Sequence, residues 1–450
     1  MTAEPIRWAL AALLLLLYTS LCGGIAWHWR GRQRAAEALA SNGDAALLVA
    51  FASQTGHAET LAEATAQVLR AAGHAVRLAP LHSLSPQALA DAGTALIVTS
   101  TYGEGDPPDQ AAPFWQQCLV GDDVLLSGLR YGLLALGDRD YGRFCGFGRA
   151  LDDWLRANGA TPLFERIEMD GADAGALQAW RQAVGTLVPG AGAVPWQSAP
   201  FAEWRVVSRQ RLNAGSLGGA IVELGLQPPE AVTWEPGDLA ELRLPADPAH
   251  PRSYSIASIA QDGTLQLLVR ASTRPDGTPG LASHWLTQQL QPGDAVALRV
   301  RAHRQFRLEG NATRPLVCIG NGTGLAGLRA HLRARAAAGT RGAWLLFGER
   351  QRAHDFLCQT ELQAWLADGT LARLDTVFSR DGGPEHYVQD ALRTQADTLR
   401  DWVNARGAAI YVCGSLRGMA EGVDAVLREA LGSGTVDALA QSGRYRRDVY

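Results

Sequence analysis

The run Ala45 to Ala52 is apolar, breaks at FASQTGHAET, Phe51 to Thr60, into hydroxyls, a glycine and a histidine, and then resumes as a helical period. The rhythm repeats: ALLVAFAS and a helix, TALIVTST and a Gly/Pro loop, YGLLALGD and a helix beginning near Gly148. Apolar runs alternating with helical periods predict a parallel sheet with crossover helices over 45–184. The stretch Gly185 to Pro200 carries Pro, Gly and Ala and no charge, and reads as a linker over 185–200. From Phe201 the runs shorten and alternate, punctuated by EPGD (Glu235 to Asp238) and QPGD (Gln291 to Asp294), which predicts a small antiparallel barrel over 201–307. Beyond it RPLVCIGNGTG, GAWLLFGER and AAIYVCGS, each followed by a helical period, restore the α/β rhythm over 312–450.

One segment departs from this soluble pattern. Trp8 to Trp27 is twenty residues without a charge, roughly 30 Å of helix and enough to cross a bilayer. Flanking tryptophans Trp8, Trp27 and Trp29 suit the interface, and a transmembrane helix is expected over 6–29. Arg7 precedes it and Arg30, Arg32 and Arg34 follow, so the positive-inside rule places the domains in the cytoplasm, anchored to the inner membrane by a single pass. A cleaved signal peptide fits less well, because no AxA site precedes the arginine cluster.

Composition narrows the chemistry. With 450 residues the chain holds two or three domains, and a net charge of -4 argues against a nucleic-acid surface. All 41 basic residues are arginine, which excludes lysine chemistry. The six cysteines lack paired spacing, fitting reduced thiols, and no histidine pair suggests a metal site.

Ligands of open parallel sheets bind beyond the carboxyl ends of strands. Ser53, Gln54, Thr55, Gly56, His57 and Ala58 follow a strand and open a helix, a place where N–H groups and hydroxyls wrap a phosphate; plain N-capping is the simpler alternative. STYGEGDPPD and LGDRDYGRFCGFG close the next two strands, each with a tyrosine and glycines, as a flat aromatic ligand requires. GNGTG, Gly320 to Gly324, likewise ends a strand and starts a helix, as in dinucleotide sites.

These loops resemble the SQTGxAE, TYGEGDPxD and LGDxxYxxFCxxG patterns of the NADPH diflavin reductase family, which includes sulfite reductase flavoproteins and NADPH-cytochrome reductases. The resemblance implies a flavodoxin-like domain in which Ser53 to Ala58 bind the FMN phosphate. Thr101, Tyr102 and Gly103, with Leu136, Gly137, Asp138, Tyr141, Phe144 and Cys145, would frame the FMN ring. His57 stands where Thr or Asn is more usual.

The second half resembles the ferredoxin-NADP reductase-like module of that family. RSYSIAS is similar to its FAD strand, which implies that Arg252 meets the pyrophosphate, Tyr254 packs on the flavin with Ser253 beside it, and Ser255 lies near N5. Gly280, Leu281, Ala282 and Ser283 would hold the FAD pyrophosphate. Gly320, Gly322, Thr323 and Gly324 would hold the nucleotide, and Ser379, Arg380, Tyr387 and Gln389 match the NADPH 2'-phosphate pattern, except that Glu385 replaces its lysine. NADPH is therefore the expected donor, with NADH as the alternative. Cys413 of IYVCG would lie beside the nicotinamide, Asp448 would join it and Ser255 near N5, and terminal Tyr450 would stack on FAD and swing aside. The family's larger members insert a helical connecting domain before their RxYS strand; here only ELRLPADPAHP intervenes.

The implied function is electron transfer from NADPH through FAD and FMN to a one-electron acceptor. Acceptors left open are a haemoprotein, a sulfite reductase haem subunit, and a ferric chelate (siderophore) or membrane partner in iron acquisition. The terminal RDVY leans towards the sulfite reductase branch, whereas the anchor and the missing insertion lean towards a membrane partner. A non-catalytic flavin-binding scaffold is the alternative of another class.

Overall fold

A computed structural model describes residues 46–120, 124–139, 142–171, 173–188, 191, 200–274 and 276–450. The expected membrane span at 6–29 lies outside the described residues, and among those described no helix is long and apolar enough to cross a membrane. The chain divides into two compact units whose main boundary falls between Ser198 and Ala199.

The first unit is a parallel sheet built from β1 (Leu47–Ala52), β2 (Val76–Pro80), β3 (Thr94–Ser100), β4 (Arg130–Gly137), β5 (Thr161–Pro162) and β6 (Ile167–Asp170). Its order is β2-β1-β3-β4-β5, with β6 also paired to β4. Every residue of β1 is buried, as a strand covered on both faces requires. Helix His57–Ala71 turns Leu61, Ala62, Ala66, Val68 and Leu69 to the core, while Glu59 in its first turn and Arg70 in its last suit the helix dipole. The helix expected near Gly148 starts at Gly146. The helix Ala174–Leu187 runs into the stretch expected as linker, because Leu187 and then Val188 are buried in the same core as Trp180.

The second unit begins with an antiparallel sheet of β7 (Ala202–Arg211), β8 (Ile221–Gln227), β9 (Leu239–Leu244), β10 (Asp247–Ser255), β11 (Leu265–Arg270) and β12 (Ala295–Arg301), in the order β10-β9-β12-β7-β8-β11. The bridge Ile256 to Leu267 joins the two ends, so the sheet closes as a barrel around Trp204, Leu224, Leu242, Leu267 and Leu298. Both PGD turns cap themselves: Asp238 Oδ2 accepts the Glu235 N–H at 3.0 Å, and Asp294 Oδ2 that of Gln291 at 2.8 Å. β9 passes directly into β10 as an antiparallel pair, with no domain between them.

A second parallel sheet follows, formed by β13 (Leu316–Asn321), β14 (Ala343–Glu349), β15 (Leu371–Phe378), β16 (Ala409–Gly414) and β17 (Tyr445–Val449). Its order β15-β14-β13-β16-β17 reverses between β13 and β16, which opens a ligand crevice beyond their carboxyl ends. Barrel and sheet share one core, in which Ile221, Ala257 and Leu268 meet Leu316, Leu328 and Phe347. Asp355, fully buried, fastens them by accepting from Asn213 Nδ2 at 3.2 Å and Ser216 Oγ at 3.0 Å.

Candidate functional site

In the first unit β1, β3 and β4 are neighbours, so the loops after them share one sheet edge. Ser53 to Gly56 follow β1, Gly56 takes a φ of +82° that lets the chain turn into the helix, and His57 and Ala58 begin that helix. Thr101 to Gly103 follow β3, where Tyr102 and Asp106 exchange backbone hydrogen bonds of 2.9 Å and close a tight loop. Leu136 and Gly137 end β4. Asp138 comes next and Phe144 precedes the helix Gly146–Ala157; Tyr141 lies outside the described residues. The Cys145 thiol faces the strand, donating to Ala135 O at 3.3 Å, and burial pushes it up to about 12, so this cysteine packs the loop down. Thr101 Oγ1 is buried without a hydrogen-bond partner among the described residues. A polar atom left so at a loop edge fits a ligand group that completes it.

In the second unit a cavity of about 1060 Å³ runs from the barrel to the crevice of the second sheet. At one end Arg252, Ser253, Tyr254 and Ser255 of β10 line it with Tyr450; at the other Ser379, Tyr387 and Gln389 line it with Arg417. Its length and two tyrosines fit a flavin and a dinucleotide. Burial holds the Tyr254 hydroxyl up at about 12, so the ring stays a neutral phenol.

Behind Ser255 lies a buried cluster. Ser255 Oγ donates to Asp448 Oδ2 at 2.6 Å, and Cys413 Sγ reaches the same oxygen at 3.6 Å. Cys413 is opposite Asp448 in the β16–β17 register, and burial with the Asp448 carboxyl beside it pushes the thiol well above its ordinary range. The thiol is therefore a donor. Of these three only Ser255 lines the cavity; Asp448 and Cys413 stand behind it.

The expected nucleotide glycines divide in the same way. Gly322 and Thr323 line the cavity, and Gly322 takes a φ of +56°. Gly320 and Gly324 face away: a Cβ on them would lie 2.7 and 2.1 Å from the Cys413 carbonyl oxygen, so they let β13 and its helix close on β16. Of Gly280 to Ser283, which begin the short helix Leu281–His284, Ser283 lines the cavity and holds Ser272 by an Oγ to Oγ contact of 2.8 Å. Exposed Arg380 and half-buried Glu385 are both off the lining, while Arg350, His386 and Arg417 are on it.

Sequence reasoning missed Asn321, Arg270, Glu349, Arg350 and Arg417, all of which line the cavity. Asn321 Oδ1 accepts the Ser415 N–H at 3.0 Å and ties the β13 loop to the β16 loop. Its place inside GNGTG was a usable signal, and so was the position of Glu349 and Arg350 at the end of the apolar run GAWLLFGER.

Comparison with known proteins agrees with this arrangement. Residues 49–183 match a family model described as flavodoxin, and residues 318–425 one described as an oxidoreductase NAD-binding domain. The sulfite reductase (NADPH) flavoprotein alpha-component of Neisseria meningitidis serogroup C is 30% identical over 89% of this chain and 89% of its own. Counterparts from Vibrio parahaemolyticus, 28% identical over 93% and 88%, and Bacillus subtilis, 26% over 89% and 89%, are similar too. The Neisseria match extends over 538 aligned positions, more than the 450 residues of this chain, so the relative carries residues that this chain lacks. The chain belongs to the NADPH diflavin reductase family.

Proposed function

We propose that the chain takes reducing equivalents from NADPH and hands them one at a time to an acceptor outside itself. FAD held there would supply hydride acceptance and single-electron release, and FMN in the first unit an outward relay. The observation that carries this reading is the junction of Ser255, Asp448 and Cys413 at the cavity wall. Because the Ser255 hydrogen is committed to Asp448, its Oγ, on a residue that lines the cavity, acts there as an acceptor that would suit a ring N–H. Cys413 and Asp448 orient that hydroxyl and steady charge near it. Tyr254 and Tyr450, both on the cavity lining, would flank the ring, and Tyr450, 54% exposed, would have to yield to a nicotinamide.

Arg252 and Ser283 would hold the FAD pyrophosphate, and Ser379, Tyr387 and Gln389 the 2'-phosphate of NADPH. Glu385 lies off the cavity lining, and Arg417 and His386 on it supply positive charge or donors, which favours NADPH over NADH. Ser53 to Ala58 would cradle the FMN phosphate, with Thr101 Oγ1 awaiting the ring.

The acceptor is a redox protein or a ferric chelate. The sulfite reductase relatives favour a haem subunit as partner. The uncharged segment Trp8 to Trp27 with arginines after it supports a single-pass anchor in the inner membrane, catalytic units in the cytoplasm, and so a partner at that membrane. The test is to reduce the detergent-purified protein with NADPH and compare turnover with a haemoprotein, a sulfite reductase haem subunit and ferric chelates. Selective loss of FMN is expected to stop turnover with protein acceptors and spare ferricyanide reduction. Equal survival of both activities overturns the electron order, a higher kcat/KM with NADH overturns the donor, and failure of NADPH to bleach the flavin restores the scaffold reading.

A further inference from the structure

Arg270 ends β11 of the barrel and Glu349 ends β14 of the second sheet; the two form an ion pair through Nη2 and Oε1 inside the cavity. The Glu349 side chain is 3% exposed and that of Arg270 26%. Glu349 Oε2 accepts the Arg350 N–H at 2.8 Å, so both carboxylate oxygens are engaged. The pair stands over the dinucleotide loop: a Cβ on Gly322 would lie 3.0 Å from Arg270 Nη2 and 3.4 Å from Glu349 Oε1. Gly322 and Thr323 lead into the thirteen-residue helix Leu325–Ala337, whose N-terminus favours an anion.

A carboxylate buried above an anion site opposes the ligand unless its partner can be shared. Arginine can share, because its planar fork carries five N–H donors and keeps its charge. We propose that Arg270 is the diphosphate-binding cation of the nicotinamide-nucleotide site and that Glu349 is its resting counter-ion. A diphosphate settling on Gly322 takes over the Arg270 donors that Glu349 holds in the free protein. Glu349 thereby lowers nucleotide affinity and speeds departure of the spent nucleotide, while Arg270 keeps the diphosphate in register with Ser255. This rests on the nucleotide site proposed above.

The test measures binding to the flavin-loaded full chain by calorimetry, using ADP, which has a diphosphate and no 2'-phosphate, and 2'-AMP, which has the reverse. Glu349→Gln is expected to tighten ADP about tenfold, the value of one charge-assisted contact, and to leave 2'-AMP unchanged. Arg270→Gln is expected to weaken ADP about tenfold, again sparing 2'-AMP, with FAD content and thermal midpoint measured to show an intact fold. Glu349→Gln that leaves ADP unchanged or weaker, or tightens both ligands alike, overturns the counter-ion. Loss of FAD on Arg270→Gln, with ADP affinity retained, assigns Arg270 to the other cofactor and also overturns it. Wild-type protein that binds neither ligand overturns the nucleotide site itself.

Discussion

Ser255 and Asp448 meet through a 2.6 Å hydrogen bond although 193 positions separate them in sequence. One belongs to the barrel and the other to the last strand of the second sheet, so the bond exists only when the two halves of the unit close on one another. Asp448→Ala is therefore expected to slow hydride transfer about a hundredfold, the scale for losing a preorganised polar group, with FAD retained. Single-turnover bleaching of the flavin by NADPH measures this, and an unchanged rate removes Asp448 from the chemistry.

Gly324 faces the Cys413 carbonyl so closely that an added Cβ would lie 2.1 Å from its oxygen. Gly324→Ala must push β13 and its helix away from β16, at a cost of about 1 to 3 kcal/mol. A lowered denaturant midpoint with an unchanged slope is the expected result. Gly310→Ala, with open space around it and an ordinary φ, is the control without a clash.

His331 is fully buried among Phe306 and Tyr411, with ring centroids at 5.0 and 4.9 Å, and burial lowers its pKa to about 3. The native state keeps it neutral while the unfolded chain protonates it near 6.5. The stability this contributes is present above about pH 6.5 and lost as pH falls towards 3, amounting to about 2 kcal/mol between pH 7 and pH 5. His331→Phe keeps an aromatic ring in the cluster and is expected to flatten that acid limb. Urea titrations at pH 7 and pH 5 decide it, and an equal acid loss in the variant assigns the limb to other groups.

Thr101→Val exchanges the buried hydroxyl for a methyl of the same shape. If the hydroxyl awaits FMN, the variant retains FMN about tenfold less tightly and FAD as before. The two flavins, separated after heat release, report this directly.

Much of the molecule is legible locally. The buried run Leu47 to Ala52, the PGD turns that cap themselves through Asp238 and Asp294, and the GNGTG loop all follow from side-chain period and short-range hydrogen bonds that any similar string forms. These determined the order of the elements, the parallel and antiparallel character of each sheet, and the edges at which ligands bind. Helix Ala174–Leu187 runs into the stretch expected as linker because Leu187 and Val188 are buried in the core around Trp180, which no local signal announces.

Side-chain partnerships were decided only in three dimensions. Gly320 and Gly324 sit in the nucleotide motif yet serve the packing of β13 on β16, whereas Gly322 between them faces the cavity. Arg270 and Glu349, far apart in sequence, meet above Gly322 because β11 and β14 come from sheets that share one core. Ser255, Cys413 and Asp448 lie on three different strands. Backbone periodicity sets where a strand ends, but which distant groups face each other across that end depends on how whole sheets pack, and the chain encodes this only through its folded core.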